Sequence, residues 1–147
     1  MELSIQTTGL PETVKRIDGL ENLVDAKLMA TIGQHAEEMI KLRTAEGRDV
    51  DGKIFAKYIP KYALFRAENG QHQTSPPNLF FSGRMLGAMT HKTEGSDTAV
   101  VCFSDSMQSA KASGNNKKRQ FFSLSAAEIQ ELADEIVSEI TAREALL

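Results

Sequence analysis

Thr90-His91-Lys92-Thr93-Glu94-Gly95-Ser96-Asp97-Thr98-Ala99-Val100-Val101-Cys102-Phe103 decides the fold class. Thr90–Glu94 and Thr98–Phe103 are rich in threonine and valine and flank Gly95-Ser96-Asp97, the composition of two strands joined by a hairpin turn. Val100 and Phe103 suit a core. Glu2-Leu3-Ser4-Ile5-Gln6 alternates polar and apolar residues and reads as a further half-buried strand. So few short strands need a cover, and the chain on either side supplies helices to provide it.

On the N-terminal side, Gly9 breaks the first strand and Pro11 suits a first helical turn. Val14, Ile17, Leu20, Leu23 and Val24 follow at helical spacing, with a bend expected at Gly19. From Glu21 onward Leu28, Ile32, Ala36, Met39 and Ile40 form the apolar face of a long helix ending near Gly47. On the C-terminal side, Ser125 and Glu128 form a capping box. It opens a helix with the stripe Ile129, Leu132, Ala133, Ile136, Val137 and Ile140. Between hairpin and last helix, one helical turn over Ser104–Lys111 and a mobile basic tip over Ala112–Lys118 are expected. Phe121, Phe122 and Leu124 then return to the core. The fold class is α+β: long amphipathic helices packed on a small antiparallel sheet, in a single domain covering residues 1–147.

A long extended arm, about residues 47–77, interrupts that pattern. Long loops without secondary structure are uncommon in compact domains and are either functional or disordered. Residues 43–89 hold Phe55, Tyr58, Tyr62, Phe65, Phe80 and Phe81, six of the nine aromatics, whereas disordered segments are aromatic-poor. The arm therefore orders against its own domain or a neighbour, with Gln71–Ser75 as its least structured part. Ser82 is the expected cap of a short helix over Gly83–Met89.

The order of motifs in and after this arm carries a resemblance. An Arg43-Thr44 helix end is followed by Gly47-x-Asp49-x-Asp51-Gly52-Lys53-x-Phe55, then Tyr58-x-x-x-Tyr62. Next come Asn78-Leu79-x-x-Ser82-Gly83-x-Met85-Leu86 and Arg119-x-Phe121-Phe122-x-Leu124-Ser125 before an acidic helix. From about Ile40 onward the chain resembles the virion-morphogenesis (tail-completion) family of long-tailed bacteriophages, Mu-like phages included. The resemblance implies a structural protein that completes the tail or joins head and tail. It would act in a ring, sixfold to match tail symmetry, against tail-tube and head-tail connector proteins. It also implies a place in the virion tail or neck after assembly in the host bacterial cytoplasm.

Composition sets further bounds. The 147 residues suffice to bury about two-thirds of the unfolded surface. No apolar run approaches the roughly 18 residues of a membrane span, and Met1–Thr8 lacks the features of a signal peptide. The net charge of −3 conceals a division: −4 over residues 1–40, +6 over 41–119 and −5 over 120–147. This division fits solvated loops beside acidic helices. It fits equally a basic edge meeting an acidic face of the next copy in a head-to-tail contact.

The chemistry of enzymes finds no foothold in the sequence. Asp49-Val50-Asp51-Gly52 fails as a calcium loop, because Gly47 and Tyr58 fall where the first acid and the bidentate glutamate belong. A tight turn with aspartate-to-backbone bonds and a left-handed Gly52 is expected instead. His35, His72 and His91 lack metal-ligand spacing, and Cys102 reads as a buried core thiol. Ser82 lacks the flanking glycines of a nucleophile elbow, and no phosphate loop or dinucleotide fingerprint is present. No enzyme activity, cofactor or metal is expected.

Two readings from different classes remain. In the first, an assembly protein uses Phe55, Tyr58 and Tyr62 to fill pockets on a neighbour or on its own domain. Arg48, Lys53, Lys57, Arg66 and Arg84 face acids such as Glu131, Asp134 and Glu135 on an adjacent copy or partner. In the second, the basic arm and Lys111, Lys117, Lys118 and Arg119 bind nucleic acid without sequence preference, and a ring could combine both by facing passing DNA. The acidic pI of about 5.6 stands against a dedicated nucleic-acid binder.

Overall fold

Strand β3 (Thr98–Phe103) lies at the centre of a three-stranded antiparallel sheet, between β1 (Glu2–Gln6) and β2 (Met89–Glu94). The register places Leu3 opposite Val101 and Ile5 opposite Ala99, while His91 pairs with Val101 across the hairpin. Gly95 takes φ 67° in the turn, a conformation glycine adopts without penalty. Ala99, Val100 and Val101 are all buried, so β3 is covered on both faces, whereas the edge strands alternate. Cys102 departs from the expected core thiol: it is half-buried on the face opposite Val101 and Phe103, and burial pushes its thiol up.

The chain is described here by a computed structural model, which covers residues 1–7, 23–71 and 76–146. The expected helix start at Pro11, the bend at Gly19 and residues 72–75 of the arm lie outside the described residues. Within them, five helices join the small sheet in an α+β fold.

Helix α1 (Ala26–Ala45) is capped by Asp25, whose Oδ1 accepts from the Leu28 amide at 2.8 Å. Leu28, Ile32, Ala36 and Ile40 are buried against the sheet as their spacing requires, and Met29 joins them. Gly33 permits the close approach, since a Cβ there would stand 3.2 Å from the His91 Cβ and 3.4 Å from that of Ala99. Burying each large aliphatic side chain of this face contributes about 1.5–3 kcal/mol.

Helix α5 (Ala126–Glu144) carries the Ser125–Glu128 capping box and packs mainly against α1. Only part of its expected stripe is covered. Leu132 and Ile140 are buried, whereas Ile129 is 54% and Val137 62% exposed. One helix-on-helix contact covers a narrow line of side chains, and the stripe is wider than that line. The Arg43 guanidinium fastens the two helices, pairing with Glu128 and donating to Phe121 O at 2.8 Å and Ser123 O at 2.7 Å.

Three expectations are corrected. The arm has a helix of its own, α2 (Pro60–Glu68), because Pro60 at its first turn is a start signal and Tyr58, Tyr62 and Phe65 follow a helical period. Ser82 does not cap the next helix, α3 (Arg84–Gly87). Gly83 stands at that position with φ 79°, and no side-chain cap is made. The expected mobile tip is the second half of a thirteen-residue helix, α4 (Ser106–Lys118). Asp105 caps α4 through the Met107 and Gln108 amides, and Gln108 and Ala112 give it a buried face. Its polar sequence is the solvent side of a docked helix.

Candidate functional site

The arm is a built structure. Gly47 ends α1 with φ 73°, and a Cβ there would lie 2.6 Å from the Pro76 ring and 2.7 Å from Pro77 O, so the two ends of the arm touch. Beyond Gly47 a miniature hairpin pairs Arg48 with Ile54. Asp49 Oδ1 accepts from the Asp51 and Lys53 amides, both at 2.9 Å, and Gly52 takes φ 79° as the Asp-x-Asp-Gly pattern implied. Arg48 Nη1 donates to Gly52 O, and the Val50 amide ties the turn to Gln120 O. Phe55 is 3% exposed and belongs to the domain's own core.

Tyr58 is the hub of the arm. Its hydroxyl accepts from the Leu79 amide at 3.1 Å. Leu79 carries φ 58°, the one left-handed non-glycine residue among those described, and such a conformation costs on the order of 1 kcal/mol or more. The Arg66 and Arg119 guanidiniums stand 4.6 and 4.8 Å from the Tyr58 ring centre. Arg66 is 1% exposed and donates to Phe80 O at 2.5 Å, with a longer contact to Asn78 Oδ1. Arg119 donates to Ala56 O at 2.7 Å and Lys57 O at 3.0 Å. Both arginines therefore hold the arm together from inside. Arg119, expected among DNA-facing bases, is engaged within the chain.

Outside this hub runs a row of rings. Tyr62 meets Tyr58 edge to face at 5.1 Å and stacks on Phe65 at 6.2 Å, and Phe65 stacks on Phe81 at 5.7 Å. Tyr62, Phe65, Phe80 and Phe81 remain exposed to water, together with Ile59 and Leu64. Exposed apolar surface of this extent marks an interaction site more often than it decorates a monomer. The spacing of Tyr58, Tyr62 and Phe65 at i, i+4 and i+7 was the sequence signal for this row.

Beside the row, the arm, α3 and α4 enclose a groove of about 870 Å³. Among the described residues its lining holds six bases, Lys57, Arg66, Arg84, Lys111, Lys118 and Arg119, and no acid. Lys57, Arg84, Lys111 and Lys118 are exposed at its edges, and the side-chain carbonyl of the buried Gln108 lacks a partner. Lys53 and Lys117 are exposed but lie outside the lining. The acids lie elsewhere. Glu131 and Asp134 are exposed on α5, where Asp134 accepts from Gln130, while Glu135 Oε1 lies 2.7 Å from His35 Nδ1. Among the described residues, none of these three acids pairs with a base of the arm.

Among the described residues no group of three or more metal-ligating side chains could hold an ion, and no helix is long and apolar enough to cross a membrane. No family model, curated protein or solved structure matches this chain.

Proposed function

We propose that the chain is a structural assembly subunit of the kind its motifs resemble: a phage morphogenesis protein that completes the tail or joins head to tail as part of a ring. The exposed aromatic row of the arm carries this reading. Tyr62, Phe65 and Phe81 are held in fixed stacking yet left in water, as anchors awaiting a partner are. The motif residues also support it by meeting one another: Arg43 clasps Phe121, Ser123 and Glu128, and Arg119 reaches Tyr58. Its partners are further copies and the tail-tube and connector proteins, in the virion tail or neck after assembly in the host cytoplasm.

Light scattering across protein concentration and salt tests the reading. The expected result is a discrete multiple of the 16.2 kDa subunit, lost when Tyr62 and Phe65 are both changed to serine while the circular dichroism is kept. A single-subunit mass at every concentration, with none added on tail tubes, would refute it. The acid-free basic groove favours one rival, non-specific nucleic-acid binding, whose signature is affinity for any oligonucleotide falling steeply with salt.

A further inference from the structure

Buried charges are normally neutralised by an opposite charge. Arg66 and Arg119 are 1% and 9% exposed, and among the described residues neither has a carboxylate within ion-pair range. Four more bases edge the same groove, and Arg66 Nε and Gln108 Oε1 have no hydrogen-bond partner. Among the described residues the groove is thus charged, without an acid and incompletely satisfied, a place that an added counter-charge would suit. Its walls are also apolar, through Ile59, Leu79, Phe81 and Met85. That combination fits a protein surface bearing acids and aliphatic side chains better than it fits a phosphate chain.

The chain carries such a surface. On α5, Glu131, Asp134 and Val137 recur at i, i+3 and i+6, so they share one side of the helix. All three are exposed, Val137 at 62%. We infer that the groove beside the arm receives α5 of a second copy. Val137 lies on the aromatic wall, and Glu131 and Asp134 face the exposed Lys111 and Lys118. Groove and helix are different surfaces of one chain, so the contact is heterologous and repeats from copy to copy, as a ring requires. This inference rests on the assembly reading and names the partner surface within it.

Charge reversal on the full chain tests it. Variant one is Lys111→Glu with Lys118→Glu; variant two is Glu131→Lys with Asp134→Lys. All four side chains are exposed, so both variants keep the fold. Each alone is expected to self-associate at least about tenfold more weakly than the unaltered chain. An equimolar mixture is expected to recover the lost mass, because each groove then meets an opposite charge. Unchanged association of both variants would overturn the inference while leaving the assembly reading intact. A mixture that stays monomeric would also overturn it. So would loss of binding to a fluorescein-labelled oligothymidylate in variant one with self-association unaltered, which would make nucleic acid the occupant.

Discussion

Arg119, the residue that ends α4, places its guanidinium carbon 4.8 Å from the ring centre of Tyr58, sixty-one positions earlier in the chain, and so fixes the arm to the helix behind it. Tyr58 in turn supports the left-handed Leu79 through its hydroxyl. Tyr58→Phe removes only that acceptor and is expected to cost about 1 kcal/mol. Tyr58→Ala also empties the space under two cations and is expected to cost about 3 kcal/mol or more. Urea unfolding followed by circular dichroism measures both. Equal small losses would show that the ring contributes nothing beyond its hydroxyl.

The Arg43 clasp supports a second expectation. Its side chain is 10% exposed and satisfies Glu128 and two carbonyls at once. Arg43→Met takes the guanidinium from all three acceptors, leaving Glu128 its Ser125 amide but no counter-charge, and is expected to destabilise the fold by about 3 kcal/mol or more. Arg43→Lys should recover less than half of the loss, since one ammonium cannot reproduce the planar fork. A shift in urea midpoint at constant slope is the readout.

What the sequence disclosed follows from the range of the forces involved. Local signals were legible: the hairpin around Gly95, the Ser125–Glu128 box, the Asp49 turn and the end of α1 at Gly47 each depend on residues a few positions apart. Helix α4 was hidden because its stability comes from Gln108 and Ala112 docking on distant parts of the chain, while Ser113, Gly114 and Asn115 argue locally for a loop. Of the candidate site, the aromatics and bases of the arm were visible as a list. Their sorting was not. Nothing local says that Phe55, Arg66 and Arg119 turn inward while Tyr62 stays in water and Phe65 and Phe81 join it.

Two glycines with similar backbone angles should respond differently. Gly52 and Gly47 have φ 79° and 73°, but a Cβ on Gly52 meets nothing within 4 Å, whereas one on Gly47 strikes Pro76 and Pro77 O. Gly52→Ala is expected to cost about 1–2 kcal/mol from the left-handed conformation alone. Gly47→Ala is expected to cost more and to separate the two ends of the arm. Limited proteolysis should then cut the arm faster in the Gly47 variant only.

Acid should weaken the fold through Glu37 and Asp25. Burial pushes the Glu37 carboxyl up, but hydrogen bonds from His91 and Lys41 outweigh it and hold the group below its ordinary 4.5. The Leu28 amide, ahead of Arg143, holds Asp25 below its ordinary 3.8. A depressed carboxyl binds protons more readily in the unfolded chain, so its stabilisation is present above the unfolded value and lost as pH falls through the folded one. The urea midpoint should therefore drop progressively below about pH 4.5. Glu37→Gln should be less stable than the unaltered chain at pH 7, with the difference shrinking towards pH 3. A constant difference across that range would show that the Glu37 charge plays no part.

The pairing of β1 with β3 also imposes an order in time. Leu3 finds Val101 as its partner, so β1 leaves the ribosome roughly a hundred residues before the strand that completes it. At synthesis rates of about 5–20 residues per second, that interval is on the order of 5–20 s. The β2–β3 hairpin closes within itself as soon as it emerges, and β1 must then be added to its free edge. For that interval β1 itself is unpaired and open to any other extended chain, and the strand made earliest is the one whose placement finishes the sheet.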